Sequence, residues 1–120
     1  KVFSQYIKSL KALKAIQLPS FNPKYKSSNH LFIIKLKNFS LNRKNNFIKY
    51  MLKKKIILQY HYIPIYKFMI FKGKYVSKNT KIYHNTAVSL PIYFGLSNKQ
   101  QQHIVKSIKN YFIKIKTKIL

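Results

Sequence analysis

The stretch Ser89–Phe112, SLPIYFGLSNKQQQHIVKSIKNYF, decides how the rest of the chain is read. Ser97 followed three residues later by Gln100 is a capping box, in which each side chain satisfies an orphan amide of a helix's first turn. Ile104, Ile108, Tyr111, Phe112 and Ile115 then recur at helical spacing, so the stretch predicts a closing amphipathic helix. Its first turn carries Asn98 and Lys99, although the positive end of the helix dipole favours acids there.

The same lack of acids runs through all 120 residues: 25 Lys plus Arg, no Asp or Glu, and a formal charge of +25. Only Arg43 is arginine. Such a field attracts polyanions non-specifically. The lysines are spread along the chain, with Lys53-Lys54-Lys55 the longest run, and the arginines that give bidentate and stacking contacts to RNA are nearly missing. No carboxylate can pair with any lysine, so self-repulsion is expected to weaken the folded state at low salt. Gly is confined to positions 73 and 95, Ala to 12, 15 and 87, and Val to 2, 76, 88 and 105. Those types, with Asp and Glu, are the ones whose codons begin with G. The pattern suggests a G-to-A drift of the coding sequence, an idea that ordinary G content at first codon positions would contradict. On that view the charge reports on mutation rather than on a partner.

Apolar residues make up 47% and aromatics 16%, enough for one modest core. There is no Cys, so no disulfide framework and no thiolate metal site. The longest apolar runs fall far short of a membrane span, and no signal-peptide pattern follows Lys1. The expectation is a cytoplasmic piece, internal or C-terminal, of something longer.

Along the chain, Val2–Ile16 has helical spacing and stops before LPSFNP, where Pro19 and Pro23 frame an irregular segment. Leu31–Leu36 reads as a buried strand. Phe47, Ile48, Met51 and Leu52 share one face of a second helix, with Ser40 or Asn42 as its N-cap. KIILQYHYIPIY reads as a second strand ended by Pro64, which lacks a ladder donor. Phe68–Val88 shows no period and reads as an aromatic loop. The order helix, strand, helix, strand, loop, helix predicts a small two-layer α/β unit in which the two strands pair.

Without carboxylates there is no paired-acid hydrolysis, no carboxylate metal site and no Ser-His-Asp triad. Two glycines cannot build a phosphate loop. His30, His61, His84 and His103 are not at metal-ligand spacings. His103 sits in the polar part of the last helix and reads as solvated, and His30 reads as a structural hydrogen-bonder. His61, in QYHYIP, has two readings: a half-buried prop of an aromatic loop, or a ligand contact at a strand end.

Three stretches in order, SSNHLFIIKL, NRKNNFIKYMLKKKIILQYHYIPIYKF and YHNTAVSLPIYFGLSNKQQQHIVKSIKNYF, resemble the C-terminal part of the DegT/DnrJ/EryC1/StrS aminotransferases. Leu90, Pro91, Tyr93, Leu96, Ser97 and Gln100 stand at matching places of the family's SLPxYxxLT motif, with Asn98 and Lys99 where the family has acids. The turn LKKKI lacks the glycine that the family places before its isoleucine. QYHYIPIY looks most like the branch that aminates a UDP-linked 4-keto sugar on the way to pseudaminic acid.

The resemblance implies that residues 1–120 form the small two-layer C-terminal domain of a fold-type I (aspartate aminotransferase-like) pyridoxal-phosphate enzyme, without its large domain. In the full-length enzyme the cofactor serves as electron sink and its lysine lies in the large domain, so no catalytic, cofactor-binding or metal-binding residue is nominated here. His61 and Tyr62 are the expected substrate-binding residues, contacting a nucleotide sugar without transferring protons. The expected partners are the large domain and a homodimer mate, with no membrane, and the isolated chain is expected to be inactive. The alternative is a basic nucleic-acid-binding protein of ribosomal type, with ten Tyr and nine Phe available to stack on bases.

Overall fold

The computed structural model describes residues 1–20, 24, 27–71 and 76–117, with side chains as far as 115. Part of the LPSFNP segment, including Pro23, and part of the expected aromatic loop, including Gly73, lie outside these residues.

Helix α1 (Val2–Leu10) leads to a short strand β1 (Ile16–Gln17). Strand β2 (Phe32–Leu36) precedes α2 (Leu41–Lys53), and β3 (Gln59–Tyr60) precedes two 3-10 turns, Ile65–Lys67 and Met69–Phe71. Helix α3 (Lys78–Thr86) runs directly into β4 (Ala87–Leu90), and α4 (Asn98–Thr117) closes the described chain. The four strands form one antiparallel sheet in the order β1-β2-β4-β3.

One face of that sheet is the core. Phe32, Ile34 and Leu36 of β2 lie beside Val88 and Leu90 of β4, with Phe32 opposite Leu90 and Ile34 opposite Val88. Alternation along β2 sends these three inward while Lys35 stays exposed. Helices α1, α2 and α4 supply the second layer through Phe3, Tyr6, Leu10, Phe47, Met51, Ile104, Ile108 and Phe112, all buried. Aromatic rings join the layers, Phe32 meeting Phe3 at 4.7 Å and Tyr6 at 4.8 Å between centroids, and within the helical layer Phe47 meets Tyr111 edge-on at 4.9 Å. The Tyr6 hydroxyl donates to the Pro91 carbonyl at 2.8 Å, tying α1 to the end of β4.

The caps follow the sequence closely. Ser40 accepts from the Arg43 amide at 3.3 Å. At α4 the Ser97 amide donates to Gln100 Oε1 at 2.9 Å and the Gln100 amide donates to Ser97 Oγ at 3.2 Å, the reciprocal pair a capping box requires. Gly95, at φ +87°, makes the turn between Pro91 and that cap.

The C-terminus of α2 explains the missing glycine of LKKKI. The Ile56 amide donates to Met51 O at 3.0 Å and the Lys55 amide to Leu52 O at 2.8 Å, the bond pair of a Schellman motif. Its pivot is Lys55, at φ +60°, a left-handed conformation that crowds any Cβ. Lys55→Gly is therefore expected to raise the unfolding free energy by about 1 kcal/mol, read as a higher urea midpoint at unchanged slope. An unchanged or lower midpoint would remove this account of the turn.

Four expectations are corrected. The first helix ends at Leu10 rather than Ile16, because Ile16 and Gln17 pair with Leu36 and Lys35 and a sheet edge captures the end of the helical pattern. The second strand shrinks to Gln59–Tyr60, since β4 offers it only Ser89 and Val88. Phe68–Val88, expected to be a loop, contains a 3-10 turn, α3 and the first half of β4. The two expected strands do not pair with each other, for β4 lies between them.

Candidate substrate-contact site at the end of β3

Leaving its two-residue ladder, the chain turns at Tyr62, which has φ +48°, and reaches Pro64. This places His61 half-buried and Tyr62 79% exposed. The His61 Nδ1 lies 3.4 Å from Ser89 Oγ on the neighbouring strand, and its ring stands 5.2 Å from Tyr62 and 5.9 Å, edge-on, from Tyr83. Both sequence-derived site residues are thus on one turn, with His61 backed by the SLP motif.

The turn is held from behind by His84 of α3, buried in the fold. Its Nδ1 is 3.2 Å from the Tyr62 carbonyl, and its Nε2 is 3.3 Å from the Lys67 ammonium. A carbonyl can only accept and an ammonium can only donate, so the imidazole is neutral with its proton on Nδ1. Burial pushes the His84 pKa below its usual 6.5. The Lys44 charge pushes the same way, the Tyr62 carbonyl opposes it, and Lys67 adds a smaller downward push.

Lys44 reaches the same place from α2. Its side chain is fully buried, donates to the His84 backbone carbonyl and lies 5.0 Å from the Tyr60 ring centroid. Desolvation, followed by repulsion from Lys67, pushes its pKa down from 10.5 to about 8. The Tyr60 hydroxyl donates to Asn45 Oδ1 at 3.1 Å, a second tie between β3 and α2. Sequence reading missed both Lys44 and His84. A lysine in a field of 24 carries no signal, and His84 hides in a polar helix whose one visible mark is its Ser77 cap, accepting from the Thr80 amide at 3.4 Å.

Elsewhere, His30 is exposed and lies 2.7 Å from Ser28 Oγ, while His103 is exposed and its Nε2 donates to the Lys54 carbonyl at 3.0 Å. Both line a groove of about 470 Å3 with Lys55, Gln59, Ser89 and Tyr93. Among the described residues no cluster of three or more metal-ligating side chains occurs, and no helix is long and apolar enough to cross a membrane.

These residues do not fit pyridoxal phosphate. The cofactor needs an acid at its pyridine nitrogen and an amide-lined phosphate cradle, and the sequence has no carboxylate side chain and only two glycines. Residues 1–109 match the DegT/DnrJ/EryC1/StrS aminotransferase family, whose enzymes use that cofactor. A Helicobacter pylori relative, UDP-4-amino-4,6-dideoxy-N-acetyl-beta-L-altrosamine transaminase, is 28% identical over 78% of this chain and 27% of its own length. Among solved structures, aminotransferase TlmJ from Streptoalloteichus hindustanus superposes with a TM-score of 0.85 at 10% identity, over 95% of this chain and 30% of that one. Helicobacter pylori PseC, an aminotransferase involved in pseudaminic acid biosynthesis, gives 0.82 at 24% identity, over 94% and 31%. The chain thus spans about three-tenths of the proteins it matches, and its fold is that of a small α/β part of a fold-type I aminotransferase. It belongs to the DegT/DnrJ/EryC1/StrS aminotransferase family.

Proposed function

We propose that this chain is the C-terminal small domain of a pyridoxal-phosphate-dependent transaminase acting on a UDP-linked 4-keto sugar, and that it supplies substrate contacts but no catalytic group. The observation that carries the reading is the turn at His61 and Tyr62. It presents an aromatic side chain to solvent at a strand end, fixed from behind by α2 and α3. His61 offers a ring nitrogen and Tyr62 a phenol, suited to hydrogen bonds with hydroxyls or phosphate oxygens and to stacking on a base.

The following segment supports a second part of the proposal, that the large domain or a homodimer mate covers this side. Ile63, Ile65, Phe68, Met69 and Ile70 are all at least half exposed, a run of apolar side chains that an isolated domain does not leave in water. The nucleic-acid alternative gains little from the aromatics, because Phe3, Tyr6, Phe32, Phe47 and Phe112 are consumed by the core.

Titration of the 15N-labelled chain with UDP tests the contact. Saturable shifts at His61 and Tyr62 are expected, and inorganic pyrophosphate at equal concentration should not reproduce them, which separates recognition from the attraction of a +25 chain for any anion. With glutamate, pyridoxal phosphate and a UDP-4-keto sugar added, the chain alone should transfer no amino group. Turnover by the chain alone would overturn the assignment of catalysis to the missing part.

A further inference from the structure

The backbone of the turn that presents His61 and Tyr62 meets α3 through the imidazole of His84. We propose that His84 is the positioning residue of this turn: as a neutral, Nδ1-protonated imidazole it clamps the Tyr62 backbone and Lys67 to α3, and its protonation releases them. The proposal rests on the reading that this turn faces substrate.

The geometry makes the clamp depend on protonation state. Nε2 accepts from the Lys67 ammonium at 3.3 Å, and Nδ1–H donates to Tyr62 O at 3.2 Å. A proton taken up from solvent would occupy the Nε2 lone pair, turning the acceptor into a donor aimed at another donor. The imidazolium would then face two ammonium groups, Lys67 from the 3-10 turn and Lys44 from α2, whose Nζ donates to the His84 carbonyl. From β2, Lys35 lies over the ring of the adjacent Tyr83, 5.4 Å from its centroid. His61, on the same turn, stands against the rings of Tyr62 and Tyr83, and no Asp or Glu exists in the sequence to offset the added charge. Repulsion on this scale in a partly buried site has one soft outlet. Tyr62 already sits at φ +48°, and the segment after it is anchored among the described residues mainly by short local bonds: Lys67 N to Pro64 O, Phe68 N to Ile65 O and Phe71 N to Phe68 O. Helix α2 is held by the core, and α3 runs directly into the inner strand β4 and packs against α2 and β2, so the turn is the part free to move.

The test is amide hydrogen exchange with 15N imidazole spectra on the 120-residue chain in moderate salt. At neutral pH the His84 ring nitrogens should report the Nδ1–H tautomer. As His84 titrates on acidification, protection at Lys67, Phe68 and Phe71 should fall at least ten-fold while the β2–β4 ladder keeps its protection. His84→Asn retains an N–H donor near the Nδ1 position and cannot take up the proton. It should hold the turn to a degree that no longer changes with pH, whereas His84→Leu should leave it open at every pH. An Nε2–H tautomer, or protection indifferent to His84 titration while the ladder is intact, would overturn the proposal. UDP shifts at His61 and Tyr62 that vanish with the same titration would tie the clamp to binding. If UDP moves neither residue at neutral pH, the substrate role falls, and the tautomer and exchange data still decide the clamp by themselves.

Discussion

Phe32→Ala is expected to abolish the cooperative unfolding transition of the chain in dilute buffer at ambient temperature. Phe32 is wholly buried at the start of β2, touches Phe3 and Tyr6 of α1 through its ring, and sits opposite Leu90 of β4. Truncation removes a large apolar transfer term and opens a cavity that two aromatic neighbours cannot collapse into, a loss of roughly 3–5 kcal/mol. A domain of this size holds on the order of 5–15 kcal/mol before self-repulsion, and 25 cationic side chains without one acidic side chain are expected to lower that margin at low salt. Circular dichroism melts at low and high salt check the expectation. A variant melting within a few degrees of its parent in dilute buffer would mean that α1 is not held to the sheet through this contact. Salt should partly restore the transition, since it shortens the Debye length to about 10 Å at 0.1 M and leaves the cavity unchanged.

Stability should also rise with pH between about 8 and 10. The buried Lys44 has a pKa of about 8 when folded and 10.5 when unfolded. In that window the unfolded chain binds the proton that the folded chain has released, so unfolding becomes less favourable as pH increases. The full difference corresponds to on the order of 3 kcal/mol, present as a penalty at neutral pH and relieved toward pH 10. His84 acts in the same direction lower down: its pKa is depressed on folding, so stability falls as pH drops below 6.5. Above pH 10 the sign reverses. Burial raises the phenols of Tyr6, Tyr83 and Tyr111, and the unfolded chain then sheds protons that the folded chain keeps. Urea titrations from pH 6 to 11 should therefore show a maximum near pH 10. Lys44→Met should flatten the rise between pH 8 and 10 and raise stability at pH 7 by roughly 1–2 kcal/mol, the relieved charge penalty less one hydrogen bond. A rise that persists in Lys44→Met would assign it to general charge repulsion instead.

How far the sequence could be read differs from element to element for identifiable reasons. Helix α4, its capping box, the Ser40 cap of α2 and strand β2 were legible because the determinants lie within a few residues of one another. The family motif was legible for the same reason, as a run of side chains around one turn and one cap. Strand β4 was not, since four residues leave no room for a period and both its faces are covered. Its place as the inner strand shared by β2 and β3 depends on partners more than 25 residues away in sequence. The end of α1 was misjudged because pairing of Ile16 with Leu36 outweighs a helical pattern that would otherwise continue.

The candidate site divides in the same way. His61 could be singled out from QYHYIP, because a strand ending in proline is a local signal, and Tyr62 joined it through the family resemblance. Their support could not be, since Lys44, Lys67 and His84 come from three separate segments, and nothing in the spacing of 24 lysines marks the one that becomes buried. By itself the sequence determined the family, the closing helix and the residues on the exposed turn, all of which follow from short-range patterns. Only the tertiary structure decided the strand order, the buried ammonium and the tautomer of His84, because each depends on which distant groups desolvate one another when the two layers close.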